Sequence, residues 1–333
     1  MLFFALNGSQ TLGARVAAAG GYAVAAHEER DFQGGEHKSR PLVSVRGRDV
    51  FVLHSLHGDG VASANDKLVR LLFFLATCRE HGAARITAIV PYLAYSRKDR
   101  QTKPQDPVSS RYVAQLLEAV GVELVMKFEV HNLAAFQNAF RCRTVHLATQ
   151  DFFAAHIAAQ NSEARLAVVS PDAGGVKRAQ LLREALEARI GGEVSFGLME
   201  KRRSAGIVSG SLFAGEVKDR VVHIVDDMIC GGGTVLRAAR AVRDHGGRSI
   251  HVLAPHGLLE AQTFQDFCAS GVIDSVTVTD SVAPLAHLPA EPPDWFRILG
   301  CAPLIADAID AVHRGQEISL SVACAPELVD NRQ

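Results

Sequence analysis

The sequence lacks the close cysteine spacing that zinc sites need. Its six cysteines are scattered over 333 residues, and no two of them form a Cys-x-x-Cys pair. Zinc ligands usually come in such pairs, and structural disulfides belong to oxidising compartments. The cysteine usage therefore argues against a zinc protein and favours a reduced, cytoplasmic environment.

The sequence also lacks an excess of charge and a long apolar run. Lysine and arginine number 35 and aspartate and glutamate 36, which leaves a formal net charge of −1. A nucleic-acid-binding surface needs a positive excess, and a membrane helix needs about 20 consecutive apolar residues. The apolar start, Met1–Leu6, is short and has no basic leader, so we predict a first strand and no signal peptide. We expect neither nucleic acid nor membrane as a partner.

The chain instead alternates short β-branched runs with helical stretches. Strands are predicted at residues 48–53, 85–90, 122–130, 165–170, 221–226, 249–254 and 273–279, with helices at 66–81 and 108–120 among those between them. This alternation is typical of parallel sheets with helices on both faces. We therefore predict an α/β protein with two doubly wound domains that join near residues 145–150.

The most informative motif follows the apolar run Val221–Val225. Asp226 and Asp227 end this run, and the glycine turn Gly231–Thr234 then leads into a predicted helix. Backbone N–H groups of such a turn can hold a phosphate, and the carboxylates can hold sugar hydroxyls or a metal. A turn with solvated acids is the simpler alternative, but paired acids at the end of an apolar strand are poorly placed for solvation alone.

Three further loops have charged residues where strands end or a lid is expected. Asp172 follows a buried strand and precedes a basic helix, which suits Mg²⁺ as well as a plain capped turn. Tyr95–Arg100 has three cations in four residues, typical of a polyphosphate clamp or of an exposed basic loop. Lys201–Arg203 precedes a small-residue stretch, which fits a mobile lid or a solvated linker.

Together these loops indicate phosphoryl transfer involving a phosphorylated sugar, and the sequence resembles the ribose-phosphate pyrophosphokinase family. This family is also called phosphoribosyl pyrophosphate (PRPP) synthetase. The resemblance covers nearly the whole chain. The segments that carry it are Val90–Arg100, Val130–Asn132, Ser170–Gly175, Lys201–Arg203 and Val221–Thr234.

The resemblance implies two phosphoribosyltransferase-like domains. The expected N-terminal domain, on the ATP side, covers 1–147 and is completed by 303–333, and the C-terminal domain, on the ribose 5-phosphate side, covers 148–302. The implied reaction moves the β,γ-diphosphoryl group of Mg·ATP to O1 of ribose 5-phosphate, giving PRPP and AMP. The implied assembly is a homo-oligomer based on dimers, with a hexamer as one arrangement.

The resemblance also assigns roles to individual residues. It implies ATP contacts from Phe32, Gly34, Gly35, Glu36, Arg97, Lys98 and Arg100. It implies ribose 5-phosphate contacts from Asp226, Asp227, Cys230, Gly231, Gly232, Gly233 and Thr234. His131 and Asp172 match magnesium-associated positions, although a lone histidine after a strand is more often structural. Lys201 and Arg203 match the catalytic lid, where positive charge stabilises the transferring group.

Several residues depart from the family pattern and leave alternatives open. Cys230 stands where most bacterial members have an acid, Gly34 replaces an aspartate and Lys98 a glutamine. Glu317 stands in the tail where serine is common, so activation by inorganic phosphate is expected to be weak. The alternatives to an active synthetase are a catalytically silent nucleotide-binding paralogue and a phosphoribosyltransferase that consumes PRPP.

Overall fold

The structure, a computed structural model, divides into two compact units. It describes residues 1–160, 165–204, 207–282, 293–318 and 325–329, and only the backbone of 201–204 and 207–211. The first unit is formed mainly by residues 1–148 and the second mainly by residues 149–300.

Most of the first unit is built from strands that each lead into a helix or a hairpin. Its elements up to residue 148 are β1 (Leu2–Ala5), α1 (Gln10–Gly20), β2 (His27–Asp31), β3 (His37–Pro41), β4 (Asp49–Leu53), α2 (Ala64–Glu80), β5 (Arg85–Ile89), α3 (Ser109–Ala119), β6 (Leu124–Phe128), α4 (Leu133–Ala139) and β7 (Arg143–Leu147). The strands β1-β4-β5-β6-β7 form one parallel sheet in that order, and β2 and β3 form a separate antiparallel hairpin.

The second unit repeats this design with a larger sheet. Its elements are α5 (Gln150–Gln160), β8 (Leu166–Ser170), α6 (Val176–Ile190), β9 (Ser195–Ser204), β10 (Ile207–Gly215), β11 (Val221–Val225), β12 (Met228–Ile229), α7 (Gly233–Asp244), β13 (Ser249–Gly257), α8 (Ala261–Ser270), β14 (Ser275–Thr279) and β15 (Phe296–Leu299). The strand order is β10-β9-β8-β11-β13-β14-β15, and only β10 runs antiparallel to its neighbour. The short strand β12 pairs with β13.

Alternating side chains bury both faces of the second sheet. Ala167 and Val169 of β8 pack in the cluster that contains α7 and α8. Leu166 and Val168 of the same strand pack in the cluster that contains α5 and α6. A strand buried on both faces reads as a continuous apolar run, which is why these strands were visible in the sequence. The predicted α/β class with parallel sheets is confirmed.

Residues of the C-terminal region contribute to both units. The helix α9 (Ala302–Arg314) belongs to the first unit, where it packs on α1. Its His313 donates a 2.7 Å hydrogen bond from Nδ1 to Asp49 Oδ2 at the start of β4. Residues 325–329 instead belong to the second unit, because Val329 N donates to Ile298 O on β15 at 2.8 Å.

None of the helices in the described ranges has both the length and the apolar character needed to cross a bilayer.

Candidate functional site

The strand order of the second unit creates a topological switch point between β8 and β11. From β8 the chain passes through α6 to β9 on one side, whereas β11 pairs on the opposite side of β8. In open α/β sheets ligands bind beyond the carboxyl ends of the strands at such a point. The loops that leave these two ends contain Asp172 and the pair Asp226–Asp227. The topology therefore brings together two segments that the sequence analysis selected separately.

The paired acids are largely removed from solvent. The Asp226 side chain is 20% exposed and that of Asp227 is 6% exposed. The backbone N–H of Asp227 donates to Asp226 Oδ1 at 2.9 Å. Burial, the first cause, and the charge of Asp227 raise the pKa of the Asp226 carboxyl well above its ordinary value, and Arg178 opposes this shift. The site thus holds a carboxyl group that gains a proton more readily than a surface aspartate.

Arg178 is a site residue whose role the sequence analysis did not identify. Its Nη1 lies 3.9 Å from Asp226 Oδ1 and 3.8 Å from Asp227 Oδ1. It occupies the first turn of α6, the helix that leaves the switch point. A cation in the first turn of a helix that follows a buried strand was the only signal in the sequence. The contact itself could not be predicted, because Arg178 lies 48 and 49 residues from the two acids.

The glycine turn is shaped by a close approach to α8. Gly232 has φ +62°, and a Cβ there would lie 2.6 Å from both the Phe267 ring and the Thr263 methyl group. Thr263 Oγ1 also donates a 2.8 Å hydrogen bond to the carbonyl oxygen of Cys230, which fixes the start of the turn. Only glycine combines this conformation with this contact.

The helix α7 begins at Gly233, within the Gly231–Thr234 segment. No side chain caps its first turn, which includes Thr234, and Arg237 donates to Thr234 Oγ1 at 3.2 Å. The first N–H groups of a helix have no intrahelical partner, and the helix dipole adds positive potential there. A Cβ on Gly231 would have no atom within 4 Å, so the approach to the turn is open on that side. The turn can therefore accept a phosphate through backbone N–H groups.

Asp172 is held in place by its own loop. Its Oδ1 accepts hydrogen bonds from the N–H groups of Gly174 at 2.9 Å and Gly175 at 3.3 Å. Ser170 Oγ donates to its carbonyl oxygen at 2.6 Å. A Cβ on Gly175 would lie 2.8 Å from Ser170 Oγ, so this glycine permits the tight loop.

The predicted basic segment and the predicted metal histidine meet in the first unit. Asn132 Nδ2, next to His131, donates a 2.7 Å hydrogen bond to Asp99 Oδ2 in the basic segment. Both segments line a shallow pocket beside α4. The structure therefore places His131 beside the segment that includes Arg97 and Arg100.

Lys98 has a local ion-pair partner. Its Nζ lies 2.6 Å from Asp106 Oδ2, and that carboxylate also accepts from the N–H groups of Thr102 and Lys103 at 3.1 Å. The hydrogen bond from Lys98 is the first cause of the lowered pKa of Asp106. The lysine thus closes the loop 98–106, a role that the sequence analysis did not anticipate.

The remaining predicted ATP contacts occupy the tip of the β2–β3 hairpin. Phe32 N donates to Glu36 O at 2.8 Å, and Gly34 and Gly35 have φ values of +89° and +86°. Positive φ values of this kind favour glycine at both positions of the tip. Phe32 is 44% exposed, and the Arg30 guanidinium lies 5.5 Å from its ring centroid.

Lys201 and Arg203 lie on β9, where they pair with Ser211 and Val208 of β10. Their side chains lie outside the described residues.

Two α/β units, a switch point with paired acids and a glycine turn opening a helix are typical of enzymes that hold a phosphorylated sugar. Comparison with known proteins makes the class specific. Residues 1–121 match the model for the N-terminal domain of ribose phosphate pyrophosphokinase, and residues 210–322 match the phosphoribosyl synthetase-associated domain.

Similar proteins extend this match to the full chain. The ribose-phosphate pyrophosphokinase of Ureaplasma parvum is 32% identical over 95% of this chain and 92% of the relative. That of Caldanaerobacter subterraneus is 32% identical over 95% of this chain and 96% of the relative. The crystal structure of phosphoribosylpyrophosphate synthetase from Mycobacterium smegmatis covers 94% of this chain and 99% of its own, with 30% identity and a TM-score of 0.84. The chain belongs to the ribose-phosphate pyrophosphokinase family of enzymes.

Proposed function

We propose that the protein transfers the β,γ-diphosphoryl group of ATP to O1 of ribose 5-phosphate, forming PRPP and AMP. O1 attacks the β-phosphorus, the bond from that phosphorus to the oxygen shared with the α-phosphorus breaks, and AMP leaves. The proton of O1 passes to a base. The observation that carries the proposal is the joint placement of the acid pair and the uncapped glycine turn beyond β11. Membership of the ribose-phosphate pyrophosphokinase family then indicates ATP and ribose 5-phosphate as the two substrates.

The second unit is proposed to hold the sugar. Backbone N–H groups of Gly231–Thr234 receive the 5-phosphate, and Asp226 and Asp227 receive ribose hydroxyls. Orientation of O1 by these contacts supplies much of the catalysis in phosphoryl transfer. The position of Arg178 near both carboxylates supports this assignment, because its positive charge offsets the repulsion between the two acids.

Asp226 is the residue that we propose as proton acceptor for O1. In this chain Cys230 occupies the position where most bacterial relatives have an acid. Burial and Asp227 raise the pKa of Asp226 towards neutrality, which makes its carboxylate a stronger base than an ordinary aspartate. The acid pair thus supplies the function that Cys230 lacks.

The first unit is proposed to hold ATP. The hairpin tip Phe32–Glu36 offers an exposed aromatic face and an acid for the adenine base, and Arg97 and Arg100 offer charge for the polyphosphate. Lys98 supports this loop through Asp106 and is a weaker candidate for direct contact.

The residues present fit a magnesium ion that is shared with substrate. Asp172 provides a fixed carboxylate and His131 lies beside the basic segment. The described residues contain no group of three or more His, Cys, Asp or Glu side chains that would cage a cation. Mg²⁺ usually binds through one or two protein carboxylates together with phosphate oxygens. When bound, it would neutralise charge on the diphosphoryl group.

We also propose a cytoplasmic homo-oligomer built from dimers. Free cysteines at 78, 142, 230, 268 and 301 support a reduced compartment. The homo-oligomer is proposed from the resemblance to the ribose-phosphate pyrophosphokinase family.

Incubation with ATP, Mg²⁺ and ribose 5-phosphate tests the proposed reaction. We expect AMP to accumulate in step with PRPP, and both to require Mg²⁺. Accumulation of ADP would indicate single-phosphoryl transfer and contradict the proposal.

Substitution of Lys201 by alanine tests the proposed lid. A cation that acts mainly on the transition state should lower kcat far more than it raises KM for either substrate. We expect a loss of kcat of about 100-fold or more, as for removal of one oxyanion donor. Lys218→Ala removes an exposed lysine of the same unit and should leave kcat unchanged. A pure KM effect of Lys201→Ala would show that this lysine only binds ground-state ATP.

Alkylation of Cys230 tests the location of the sugar. This cysteine is half-buried beside the proposed phosphate turn, whereas Cys268 on α8 is exposed. In a Cys268→Ser background, a thiol reagent should inactivate the enzyme, and ribose 5-phosphate should slow the inactivation. Cys230→Asp should leave activity equal or higher, because a carboxylate there can also orient O1. Alkylation of Cys230 at an unchanged rate under saturating ribose 5-phosphate would place the sugar elsewhere.

A further inference from the structure

A second polar site lies inside the second unit, on the face of the sheet that α5 covers. On β11, Val221 and Val225 pack in the cluster that contains α5 and α6. Strand side chains alternate between faces, so His223 points to the same side as these two valines. An imidazole therefore occupies a position where the packing of this face predicts an aliphatic residue.

The histidine belongs to a cluster that lines a cavity of about 80 Å³. A single buried water needs only about 10–15 Å³ measured in this way, so the cavity can hold a molecule larger than one water. The polar residues that line it include His156, Gln160, His223, His251, Ser275 and Arg297. They come from α5, β11, β13, β14 and β15, so the cavity is enclosed by the sheet on one side and by α5 on the other.

His223 is the group that most needs a ligand. It is 4% exposed, and neither of its ring nitrogens has a hydrogen-bond partner among the described residues. A buried polar group without a hydrogen-bond partner carries a stability cost. A molecule in the cavity that accepts a hydrogen bond from the ring removes this cost.

The other polar groups are already arranged by their neighbours. His251 Nδ1 lies 2.7 Å from Ser275 Oγ, and its ring stacks on that of His223 with centroids 5.3 Å apart and planes inclined by 28°. At the mouth, Arg297 Nη1 donates to Gln160 Oε1 at 2.9 Å, and Gln160 Nε2 lies 3.0 Å from His156 Nε2. The cluster thus combines a guanidinium, an amide, a hydroxyl and three imidazoles around one space.

The charge of the cluster is positive. Burial first, and then the neighbouring positive groups, lower the pKa of His156 to about 4 and of His223 to about 3. Burial and Arg297 lower the pKa of His251, while Asp274 alone acts in the opposite direction. With these imidazoles neutral, Arg297 supplies the permanent positive charge at the cavity.

We propose that this cavity, here called the α5 pocket, binds a small oxyanion such as sulfate or inorganic phosphate. Arg297 supplies the charge, and His223, His251 and Ser275 supply hydrogen bonds from the sheet. The site is separate from the glycine turn at α7, which lies beyond the strand ends. A metal ion is disfavoured because Arg297 lies at the mouth, and no three ligating side chains of the described residues form a cation site.

Binding at this pocket should take up protons. An anion beside the imidazoles stabilises their charged form, so it raises their pKa values from the lowered values of the empty cluster. A ligand that raises a pKa binds more tightly as pH falls. Sulfate keeps a constant charge over the range of interest, so its affinity reports the protonation of the pocket alone.

Calorimetric titration with sulfate tests the proposal. Ribose 5-phosphate is present at saturation, so that its phosphate occupies the proposed turn at α7. The titration is run at about pH 5, just above the lowered pKa values of the empty cluster, and at about pH 8, on the wild type, Arg297→Gln and His223→Leu. Arg183→Gln, which removes a charge of the same unit from α6, is the matched control.

We expect Kd to rise at least about tenfold in Arg297→Gln, the value of one hydrogen bond to a charged group. Kd should also rise in His223→Leu and stay within about twofold in Arg183→Gln, because Arg183 is not among the residues that line the cavity. The wild type should bind more tightly at the lower pH, with proton uptake measured from buffers of different ionisation enthalpy.

Absence of sulfate binding would show that the cavity holds only water and would overturn the proposal. Equal loss in Arg297→Gln and Arg183→Gln, or no loss in Arg297→Gln, would place the anion elsewhere. If His223→Leu does not fold, the arginine pair and the pH dependence still decide the question.

Discussion

Replacement of Asp226 by asparagine is expected to remove most of the activity while making the folded protein more stable at neutral pH. The asparagine keeps an oxygen for the Asp227 N–H but cannot act as a base. Loss of one hydrogen bond to a charged group alone costs about 1.5–3 kcal/mol, or roughly 10- to 100-fold in kcat/KM. Loss of the proton acceptor adds to this.

The stability gain should depend on pH with a definite sign. The pKa of Asp226 is raised in the folded protein by burial and by Asp227. Below the ordinary carboxyl pKa, both the folded and unfolded chains hold a proton here, and the residue has no cost. As pH rises, the unfolded chain ionises first, so the folded chain is penalised, fully so above its raised pKa. Asp226→Asn removes this penalty.

We therefore expect Asp226→Asn to raise Tm by several degrees at about pH 8 and by little at about pH 4, given about 2–4 °C per kcal/mol. Asp244→Asn removes an exposed acid at the end of α7 and serves as control for net charge. Thermal unfolding and steady-state kinetics measure both effects. Wild-type activity of Asp226→Asn, or an equal gain in Tm at both pH values, would contradict the account of the acid pair.

Substitution of Gly232 by alanine should collapse the proposed phosphate turn. The new Cβ would meet the Phe267 ring and the Thr263 methyl group at 2.6 Å, and the residue would keep φ near +62°. Positive φ costs a non-glycine residue about 1–2 kcal/mol, and relief of the clash requires α7 or α8 to move. We expect KM for ribose 5-phosphate to rise at least about tenfold and the free energy of unfolding to fall by about 2–4 kcal/mol.

Gly271 provides the matched control for this substitution. It has φ +61° at the C-terminus of α8, and a Cβ there would meet no atom within 4 Å. Gly271→Ala therefore measures the cost of positive φ alone. If Gly232→Ala lowers stability no more than Gly271→Ala and leaves KM for ribose 5-phosphate unchanged, the close approach of the turn to α8 contributes neither to stability nor to sugar binding.

The sequence was informative where apolar runs end in charged residues. Strands β8 and β11 are buried on both faces and mostly apolar, so their ends, and hence Asp172 and Asp226, could be located without a structure. That these two ends are neighbours at a switch point needed the strand order, because α6, β9 and β10 intervene in the chain.

Other features could not be predicted from the sequence, because their residues are polar or their contacts join segments far apart in the chain. The β2–β3 hairpin has the strand His27–Asp31, in which every residue is polar, so it has no apolar period to detect. It is stabilised by ion pairs such as Glu28 with Arg40 at 2.6 Å. The segment Lys201–Arg203 was interpreted as part of a lid or linker, whereas its backbone continues the long pair β9–β10.

The α5 pocket is another feature that could not be predicted from the sequence. His223 lies inside an apolar run and was read only as part of a strand. Its significance appears when β13, β14, β15 and α5 bring polar groups from distant segments to the same face.

The fate of both terminal phosphorus atoms of ATP is the most direct test of the proposed reaction. The purified protein is incubated with Mg²⁺, ribose 5-phosphate and ATP labelled separately at the β- or γ-phosphorus, with Asp226→Asn as control. The account predicts that either label moves to a diphosphoryl group on C1 of the sugar, with one AMP formed for each product molecule. Transfer of the γ label alone with release of ADP, or no transfer by the wild type, would contradict it.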